Sequence, residues 1–571
     1  MKNIFRLMLI CTAAFVAACG SDSTGDTPVP GNGPITYKDC DDEVRVSTIE
    51  STLTVKFTAS AAWTAKSTNV AWLTITSAKS GSKGTSTMTI RTTKNETGAT
   101  RSGSIVMSVS GYDDVTLVTV TQGVAGSHPD FDVNVSQIDR ILSENYLWND
   151  EYNSIERDYA QAYDAFLKNT LLSMTTNDLD GGRNSDGSRY LYSYITRSGS
   201  GRAAVAKTAE VTNGIFPNLT FVNLGASGYA LAVRGVYPDS PAAKAGLKRG
   251  DMITSVNGTK LTASNANTYY YNLLTQGTGT TYNVGLLDGR TMTLSAQSMY
   301  CNPVLHYEVI NKGSKKIGYL VYSAFEASFD DEVLAAFSSF KAAGIDDIVI
   351  DLRLNGGGHV MSSQMITSVV AGDKADGKVF EKYRYNDTRM AKNGWSFPDK
   401  MRMEYFGAAS GQSIYSTSHY LSMDRLYLLV TGNSASSSEL TFNSLRGIDF
   451  PVTLIGERTE GKNVGMETQT FNYGGYSYVF APITFQSYNA KNETGNPEGQ
   501  IPDYEVKEWS QEIGYADWGV AGDPLLDKAL ELITGSAPAA AKMQTRMPQF
   551  VGIHNPVVPS RGAIVIPRDE E

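Results

Sequence analysis

A run of four serines followed by a glutamate, GNSASSSEL at residues 432–440, is the stretch best suited to nucleophilic chemistry. It follows the apolar segment LYLLV and precedes a segment with helical spacing, so Gly432 and Asn433 supply a turn and the serines begin a helix. The N–H groups at a helix start favour a developing negative charge, which suits an oxyanion. N-capping explains one serine but not four. The run therefore predicts a loop that presents a hydroxyl for catalysis.

A serine nucleophile requires a base, and the sequence offers two candidates. Lys462 lies in GERTEGK, after the apolar segment TLI, and emerges at the same end of the sheet as the serines if the strands are parallel. Its amine, ordinarily near pKa ~10.4, needs burial to bring the pKa towards ~7 to 8. His359 follows the glycine run 356–358 on another strand-end loop and ranks second among five histidines.

The segments around these residues alternate between strand and helix from 301 to 535. This order predicts an α/β domain with a largely parallel sheet, whose working loops follow the carboxyl ends of the strands. In chain order the segments are IGYLVYSAF, DDEVLAAFSSFKAAG, DIVIDLRLN, SSQMITSVVAG, LYLLVTGN, SSELTFNSLRG and TLIGER.

A chain of 571 residues is too long for one core, so several domains are expected. Alternating segments with turn clusters predict a β-sandwich over 41–124, and helical spacing predicts a small helical unit over 130–205. Strand-like segments return over 210–300. The tail, 536–571, contains prolines without a clear period and is expected to be extended or disordered.

Residues 240–261, SPAAKAGLKRGDMITSVNGTKL, resemble the PDZ signature: a helix after Ser240 and Pro241, a glycine turn, and a strand leading to an Asn-Gly hairpin. The resemblance implies a PDZ domain over 210–300 that binds an extended peptide along a sheet edge and holds its terminal carboxylate. The peptide-binding edge is predicted at Gly228, Tyr229, Ala230 and Leu231, because these residues lie just ahead of the signature in the sequence. A PDZ unit that packs on its neighbour and binds nothing is the alternative.

The β-sandwich resembles the BACON domain, an immunoglobulin-like module of bacterial surface proteins. The resemblance rests on Trp63, Trp72-Leu73, Asn95, Arg101-Ser102-Gly103 and the closing Val-Thr-Gln at 120–122. It implies carbohydrate as a partner, whereas tryptophans that only fill the core of a spacer are the alternative. No ligand residues are assigned there.

Residues 130–535 resemble the C-terminal processing (tail-specific) serine peptidases, which use a Ser/Lys dyad. Their Ser-Ala-Ser-Ala-Ser-Glu pattern, with the nucleophile three residues before the glutamate, matches Ser436, and their glycine-lysine pair matches Lys462 at a spacing one residue longer than expected. The resemblance implies a crotonase- or Clp-protease-like α/β core without a metal or organic cofactor. Many members carry a glutamine four residues after the lysine, where this chain has Met466.

The same resemblance covers Asp351-Leu352-Arg353-Leu354-Asn355-Gly356-Gly357-Gly358, which matches the family's Asp-Leu-Arg-x-Asn-x-Gly-Gly motif. It implies an oxyanion hole formed by the amide of one of Gly356, Gly357 and Gly358 together with the amide of Ser437. A phosphate-binding loop is excluded because the glycine run lacks the Lys-Ser/Thr ending of such a loop.

The first 19 residues combine Lys2 and Arg6 with an apolar run and the tetrad Val-Ala-Ala-Cys, which resembles a lipobox. We expect a cleaved leader over 1–19, lipidation at Cys19 and a linker over 20–40, which implies a bacterial envelope protein lipid-anchored to the outer membrane. A plain signal peptide is the alternative. Cys40 and Cys301 could form a disulfide, but the sequence does not predict one.

With 41% hydrophobic residues, 19% charged residues and a formal net charge of -10, no basic tract marks a nucleic-acid partner. These features together predict a serine endopeptidase that captures the free C-terminus of a protein substrate. A non-catalytic glycan-binding or adhesion protein that uses the β-sandwich is the alternative.

Overall fold

The computed structural model describes most of the chain as several units, of which the N-terminal sandwich has its own core and others share one. The described residues are 16–18, 33–38, 40, 42–46, 51–95, 97, 99–122, 133–157, 161–183, 187–198, 207, 209–274, 277–407, 416–473, 476–509, 514–536, 552–554 and 564–567. Within these ranges, no helix is both long and apolar enough to cross a membrane.

Two five-stranded sheets pack face to face as the N-terminal β-sandwich. Trp63 and Trp72 are each only 4% exposed and belong to its core, so neither ring is available to stack on a sugar. Cys40 is a free, buried thiol here, and Cys301 is free in a later unit. The strands are β1 (Val16–Ala18), β2 (Ile35–Lys38), β3 (Glu43–Val46), β4 (Ser51–Ala59), β5 (Trp63–Ser67), β6 (Leu73–Ile75), β7 (Ser80–Gly81), β8 (Gly84–Thr92), β9 (Arg101–Val109) and β10 (Val115–Gln122).

The first strand of this sandwich lies inside the predicted leader. Val16–Ala18 pairs in parallel with residues 52–54 of β4. Cys19, the predicted lipidation site, lies outside the described residues.

A small helical unit follows the sandwich and packs on the peptidase region. Tyr146, Tyr152 and Phe166 share a core with Val464 and Phe480 of later strands. Its elements are α1 (Val133–Asn145), α2 (Asn149–Ser154), α3 (Tyr163–Ser173), β11 (Gly182–Arg183), β12 (Arg189–Tyr190) and β13 (Tyr194–Ser198).

The next unit has the elements that the Ser240-Pro241 signature predicts. Ser240 caps the following helix by accepting from the Ala243 N–H at 3.1 Å, and Pro241 occupies the first turn, where its missing N–H costs nothing. The elements are β14 (Glu210–Thr212), β15 (Thr220–Asn223), β16 (Tyr229–Ala232), α4 (Pro241–Lys244), β17 (Met252–Val256), β18 (Thr259–Lys260), α5 (Ala266–Leu274), β19 (Thr281–Leu286), β20 (Thr291–Ser295) and β21 (Gln297–Met299).

The strand order of this unit corrects the predicted peptide-binding edge at Gly228, Tyr229, Ala230 and Leu231. Strand β16 lies between β15 and β17, and Leu231 pairs with Phe221 on one side and Ile253 on the other. An interior strand has both of its backbone edges paired, so it cannot add a ligand strand. The unit's own sheet has β20 at one edge and β15 at the other, and the position of these strands along the sequence did not reveal this.

The peptidase region is built on a six-stranded sheet in the order β22-β23-β24-β28-β29-β33, parallel except for β22. Ile348 and Ile350 face the core beneath three helices, whereas Val349 faces the core beneath the last helix, as strand alternation requires. The elements are β22 (Val304–Lys312), β23 (Lys315–Tyr322), α6 (Asp330–Ala343), β24 (Asp347–Asp351), β25 (Gly358–His359), α7 (Val360–Ala371), β26 (Val379–Tyr385), α8 (Asp387–Lys392), β27 (Arg402–Tyr405), β28 (Leu426–Val430), α9 (Ser437–Gly447), β29 (Val452–Gly456), β30 (Val464–Tyr473), β31 (Tyr476–Ala481), β32 (Ile483–Tyr488), β33 (Tyr504–Glu505) and α10 (Pro524–Thr534).

A second sheet has the order β13-β31-β30-β32-β26-β27, and β13 joins it from the helical unit. Two further strands lie in the C-terminal tail: β34 (Gly552–His554) and β35 (Ile564–Pro567). The first joins β15, and the second joins both β25 and β30.

Buried ion pairs connect the unit of β14–β21 to the peptidase region. Glu508 accepts from Arg234 and from Arg249, both at 2.7 Å, and these charges hold the pKa of Glu508 at about 2 despite its burial. Removing one partner of such a buried network would leave an uncompensated charge, so loss of Arg234 or Arg249 is expected to be destabilising.

Candidate active site

Ser436 lies at the sharp turn between β28 and α9 in a backbone conformation that serine rarely adopts. Its φ is 62° and its ψ is -116°, and its side chain is fully buried. Backbone strain of this kind costs on the order of 1–3 kcal/mol and persists only where the surroundings enforce it. The turn resembles the strained strand-to-helix turns that present nucleophiles in hydrolases.

The other three serines of the run have structural partners. The hydroxyls of Ser434, Ser437 and Ser438 donate to the carbonyl oxygens of residues 352, 358 and 355, at 2.7, 2.8 and 2.9 Å. They fasten the serine turn to the glycine loop that follows β24. Ser436 Oγ is buried and has no hydrogen-bond partner, so it is the hydroxyl of the run left for another purpose.

The carboxylate of Glu439 joins the serine turn to the lysine loop. One oxygen accepts from the backbone N–H groups of Ser436 and Lys462 at 3.0 and 2.8 Å. The other accepts from the Thr459 hydroxyl at 2.6 Å and the Gly461 N–H at 2.9 Å. Burial raises the pKa of Glu439 to about 7, while these four donors act in the opposite direction. The backbones of Ser436 and Lys462 are therefore held side by side by one group.

Lys462 is buried in a pocket that also includes residues of the helical unit. Burial lowers its pKa to about 7, opposed by the negative charges of Asp180, Glu439 and Glu460. Its Nζ lies 4.6 Å from the centroid of the Tyr192 ring. Lys462 Nζ and Ser436 Oγ do not form a hydrogen bond in this structure, because the hydroxyl has no partner.

The glycine loop lies directly against Ser436. The N–H of Gly357 donates to Asn355 Oδ1 at 2.8 Å, so this donor is occupied. Ser437 begins helix α9, where the first N–H groups have no partner within the helix. His359 Nδ1 lies 3.1 Å from the carbonyl oxygen of Phe325 and is not a partner of Ser436.

Gly357→Ala is expected to lower kcat by about 100-fold, because misplacing reacting groups by about 1 Å has an effect of this size. Gly357 has a φ of 105°, and an added Cβ would lie 2.7 Å from Ser436 Cβ and 2.8 Å from the Ala435 carbonyl oxygen. The measurement is the rate of peptide hydrolysis. Gly344→Ala is the matched control, since Gly344 also has a positive φ of 65° but nothing lies within 4 Å of its added Cβ. Equal activity of the two variants would contradict the close packing of this loop on Ser436.

The sequence did not assign roles to Glu439, Asp180 or Tyr192. The Ser-x-x-Glu spacing of a capping box was visible at 436–439 and could have marked Glu439. Asp180 and Tyr192 lie far from Lys462 in the sequence, and no local pattern places them beside it. Met466, at the position where the family often has glutamine, is fully buried in the core shared with the helical unit.

Comparison with known proteins identifies two of these units. Residues 316–506 match the model of peptidase family S41, and residues 233–277 match a PDZ domain. The chain is 26% identical over 258 residues to carboxyl-terminal-processing peptidase 1 of Arabidopsis thaliana, covering 44% of this chain and 47% of the relative. It is also 26% identical over 274 residues to the chloroplastic C-terminal processing peptidase of Tetradesmus obliquus, covering 45% and 53%. The chain thus spans about half the length of these curated relatives.

The fold is shared with a crystal structure of an S41 protease from Bacteroides fragilis. The two superpose with a TM-score of 0.56 at 23% identity, over 70% of this chain and 97% of that one. At this identity the likeness concerns the fold alone. The two family matches identify a peptidase domain of family S41 at 316–506 and a PDZ domain at 233–277, and the structural likeness agrees with this multidomain fold.

Proposed function

We propose that this protein is a serine endopeptidase of the C-terminal processing type in which Ser436 is the nucleophile and Lys462 is the base. The observation that carries the proposal is that one unpartnered, strained hydroxyl and a buried lysine of pKa about 7 lie on neighbouring loops whose backbones Glu439 holds side by side. A lysine with this pKa is partly uncharged near neutral pH and can accept the proton of a hydroxyl.

In the first step, Lys462 takes the proton of Ser436 Oγ as the oxygen attacks the substrate carbonyl carbon. The resulting oxyanion is held by the Ser437 N–H and by Gly356 or Gly358, since the Gly357 N–H already serves Asn355. Lys462 then gives its proton to the leaving amine, and water hydrolyses the acyl-enzyme. Because Oγ forms no hydrogen bond with Nζ in this structure, the two atoms must come within hydrogen-bond distance before the proton moves.

We further propose that the PDZ domain captures the substrate's C-terminal end along β15, beside helix α5. The Phe221 ring of β15 packs on Tyr270 of α5 with centroids 5.4 Å apart, so the strand edge and the helix flank one groove. A peptide can add to this edge through backbone hydrogen bonds, with side-chain pockets setting the preference.

An active-site serine probe and a tail-swapped substrate test the two parts together. We expect the probe to label the wild type and Ser438→Ala, and to miss Ser436→Ala. The matched control removes a hydroxyl that only holds a backbone carbonyl. Unstructured substrates that differ only in the last few residues should be cleaved at different rates. Equal labelling of the wild type and Ser436→Ala would refute the nucleophile.

An outer-membrane lipoprotein location is also a proposal, and it rests on the leader and Cys19 alone. A mass measurement of the mature N-terminus tests it, with diacylated Cys19 as the expected first residue. Glycan binding by the N-terminal sandwich finds no support from Trp63 and Trp72, since both are buried.

A further inference from the structure

Two short strands of the C-terminal tail occupy the places that a substrate needs. Strand β34 pairs antiparallel with the PDZ edge, with Ile553 opposite Val222 and His554 opposite Phe221. This is the strand-addition mode by which PDZ domains hold peptides. The PDZ sheet edge is therefore covered by the chain itself.

The second tail strand lies in the catalytic cleft, which we define as the gap between β25 and residues 466–468 of β30. Ile564 and Val565 pair in parallel with Gly358 and His359 on one side. Val565 also pairs with Met466 on the other side, and the pairing continues to residue 567. One wall of this cleft continues the glycine loop, and the other begins shortly after Lys462. A peptide strand in this gap lies between the two loops that form the proposed site.

The order of the two strands along the chain indicates that the tail is an inhibitor and not a substrate. In a substrate held by its C-terminal end, the residues in the catalytic cleft precede in sequence the residues on the PDZ edge. The tail runs in the reverse order, because residues 552–554 are on the PDZ edge and residues 564–567 are in the cleft. In addition, the chain continues past His554, so no terminal carboxylate is present where the PDZ edge is covered.

We propose that the two tail strands, residues 552–554 and 564–567, are a built-in competitive inhibitor that closes the PDZ edge and the catalytic cleft by strand addition. The inhibition of turnover rests on the proposed peptidase function, whereas the occupancy of the two strand edges does not. A tethered segment acts at an effective concentration on the order of mM, so even weak strand pairing keeps both places filled until a substrate competes. The expected ligand of the catalytic cleft is accordingly an extended polypeptide backbone.

Hydrogen exchange on the Ser436→Ala chain tests the occupancy without any need for turnover. Removal of residues 551–571 should increase exchange of those backbone amides at 221–223, 466 and 468 that face the tail strands by at least about tenfold, whereas the Glu467 N–H, which donates to Thr484 Oγ at 3.1 Å, should stay protected. A synthetic peptide of residues 551–567 should restore their protection in the truncated chain and bind the full chain at least about tenfold more weakly. Unchanged exchange at these amides after truncation would overturn the proposal.

A full-length variant guards against a truncated chain that folds poorly. Ile553→Pro with Val565→Pro should open both strands, because proline lacks an N–H and fits poorly inside a strand. Ser536→Pro, in the tail outside both strands, is the control. For an active peptidase, the double variant should lower KM by about tenfold at unchanged kcat, which is the signature of a removed competitor. An unchanged KM in an active double variant would count against inhibition, and absence of activity in every form would instead refute the peptidase proposal.

Discussion

Lys462→Ala is expected to lower kcat/KM for an unstructured protein substrate by about 10⁴-fold or more, the scale seen when a serine hydrolase loses its base. The reason is that Lys462 is a buried amine of lowered pKa on the loop that Glu439 holds beside Ser436, whereas His359 lies against the Phe325 carbonyl oxygen. Steady-state hydrolysis rates measure the effect. Lys378→Ala, at an exposed lysine, should retain wild-type activity and is the control.

The pH dependence of kcat/KM distinguishes two roles for Lys462: a base, and a positive charge that merely attracts substrate. Because burial lowers the pKa of Lys462 to about 7, kcat/KM should rise by about tenfold per pH unit below that value and level off above it. Lys462→Arg keeps the charge but cannot lose its proton, so it should stay inactive throughout. An active arginine variant would rule out Lys462 as the base.

The burial that lowers the pKa of Lys462 also has a cost in stability. Between pH 7 and 10.5 the unfolded chain binds more protons than the folded chain, so stability rises with pH across that window. Lys462→Met removes the buried amine at similar volume. The melting temperature of this inactive variant at pH 7 should therefore exceed that of the wild type, which also shows that lost activity does not reflect unfolding.

Glu439→Gln is expected to lower kcat by at least about 100-fold and to destabilise the chain. All four partners of the carboxylate are donors, from Ser436, Thr459, Gly461 and Lys462. A glutamine offers one acceptor oxygen and one NH₂ group, so two buried donors face another donor. Each unsatisfied donor costs about 1–3 kcal/mol, and the shift separates the two loops.

Thermal unfolding and hydrolysis rates of the same preparation measure both effects. Glu498→Gln, at an exposed glutamate, is the matched control and should change neither. If Glu439→Gln loses stability while kcat stays within twofold of the wild type, Glu439 holds the fold but does not position the dyad.

The sequence by itself determined which loop follows each strand and which types of residue each loop carries. Strand and helix periods along 301–535 predict parallel neighbours, and β28 and β29 are indeed adjacent and parallel, so the serine and lysine loops leave the sheet at the same end. Local patterns suffice for this because strand period, turn residues and helix capping act over a few neighbouring residues. The same locality explains why the start of α4 at Ser240 and Pro241 was predictable.

Only the tertiary structure decided which groups surround Lys462 and which strands lie at the edges of the PDZ sheet. Asp180 and Tyr192 reach Lys462 from a separate unit, and the lowered pKa of that lysine results from burial by both units together. Whether a strand is interior or at an edge depends on its neighbours in space, which is why Gly228–Leu231 looked suitable in the sequence while β15 is the edge. The tail strands pair through backbone N–H and C=O groups, which do not depend on side-chain type. No side-chain pattern could therefore have predicted their partners.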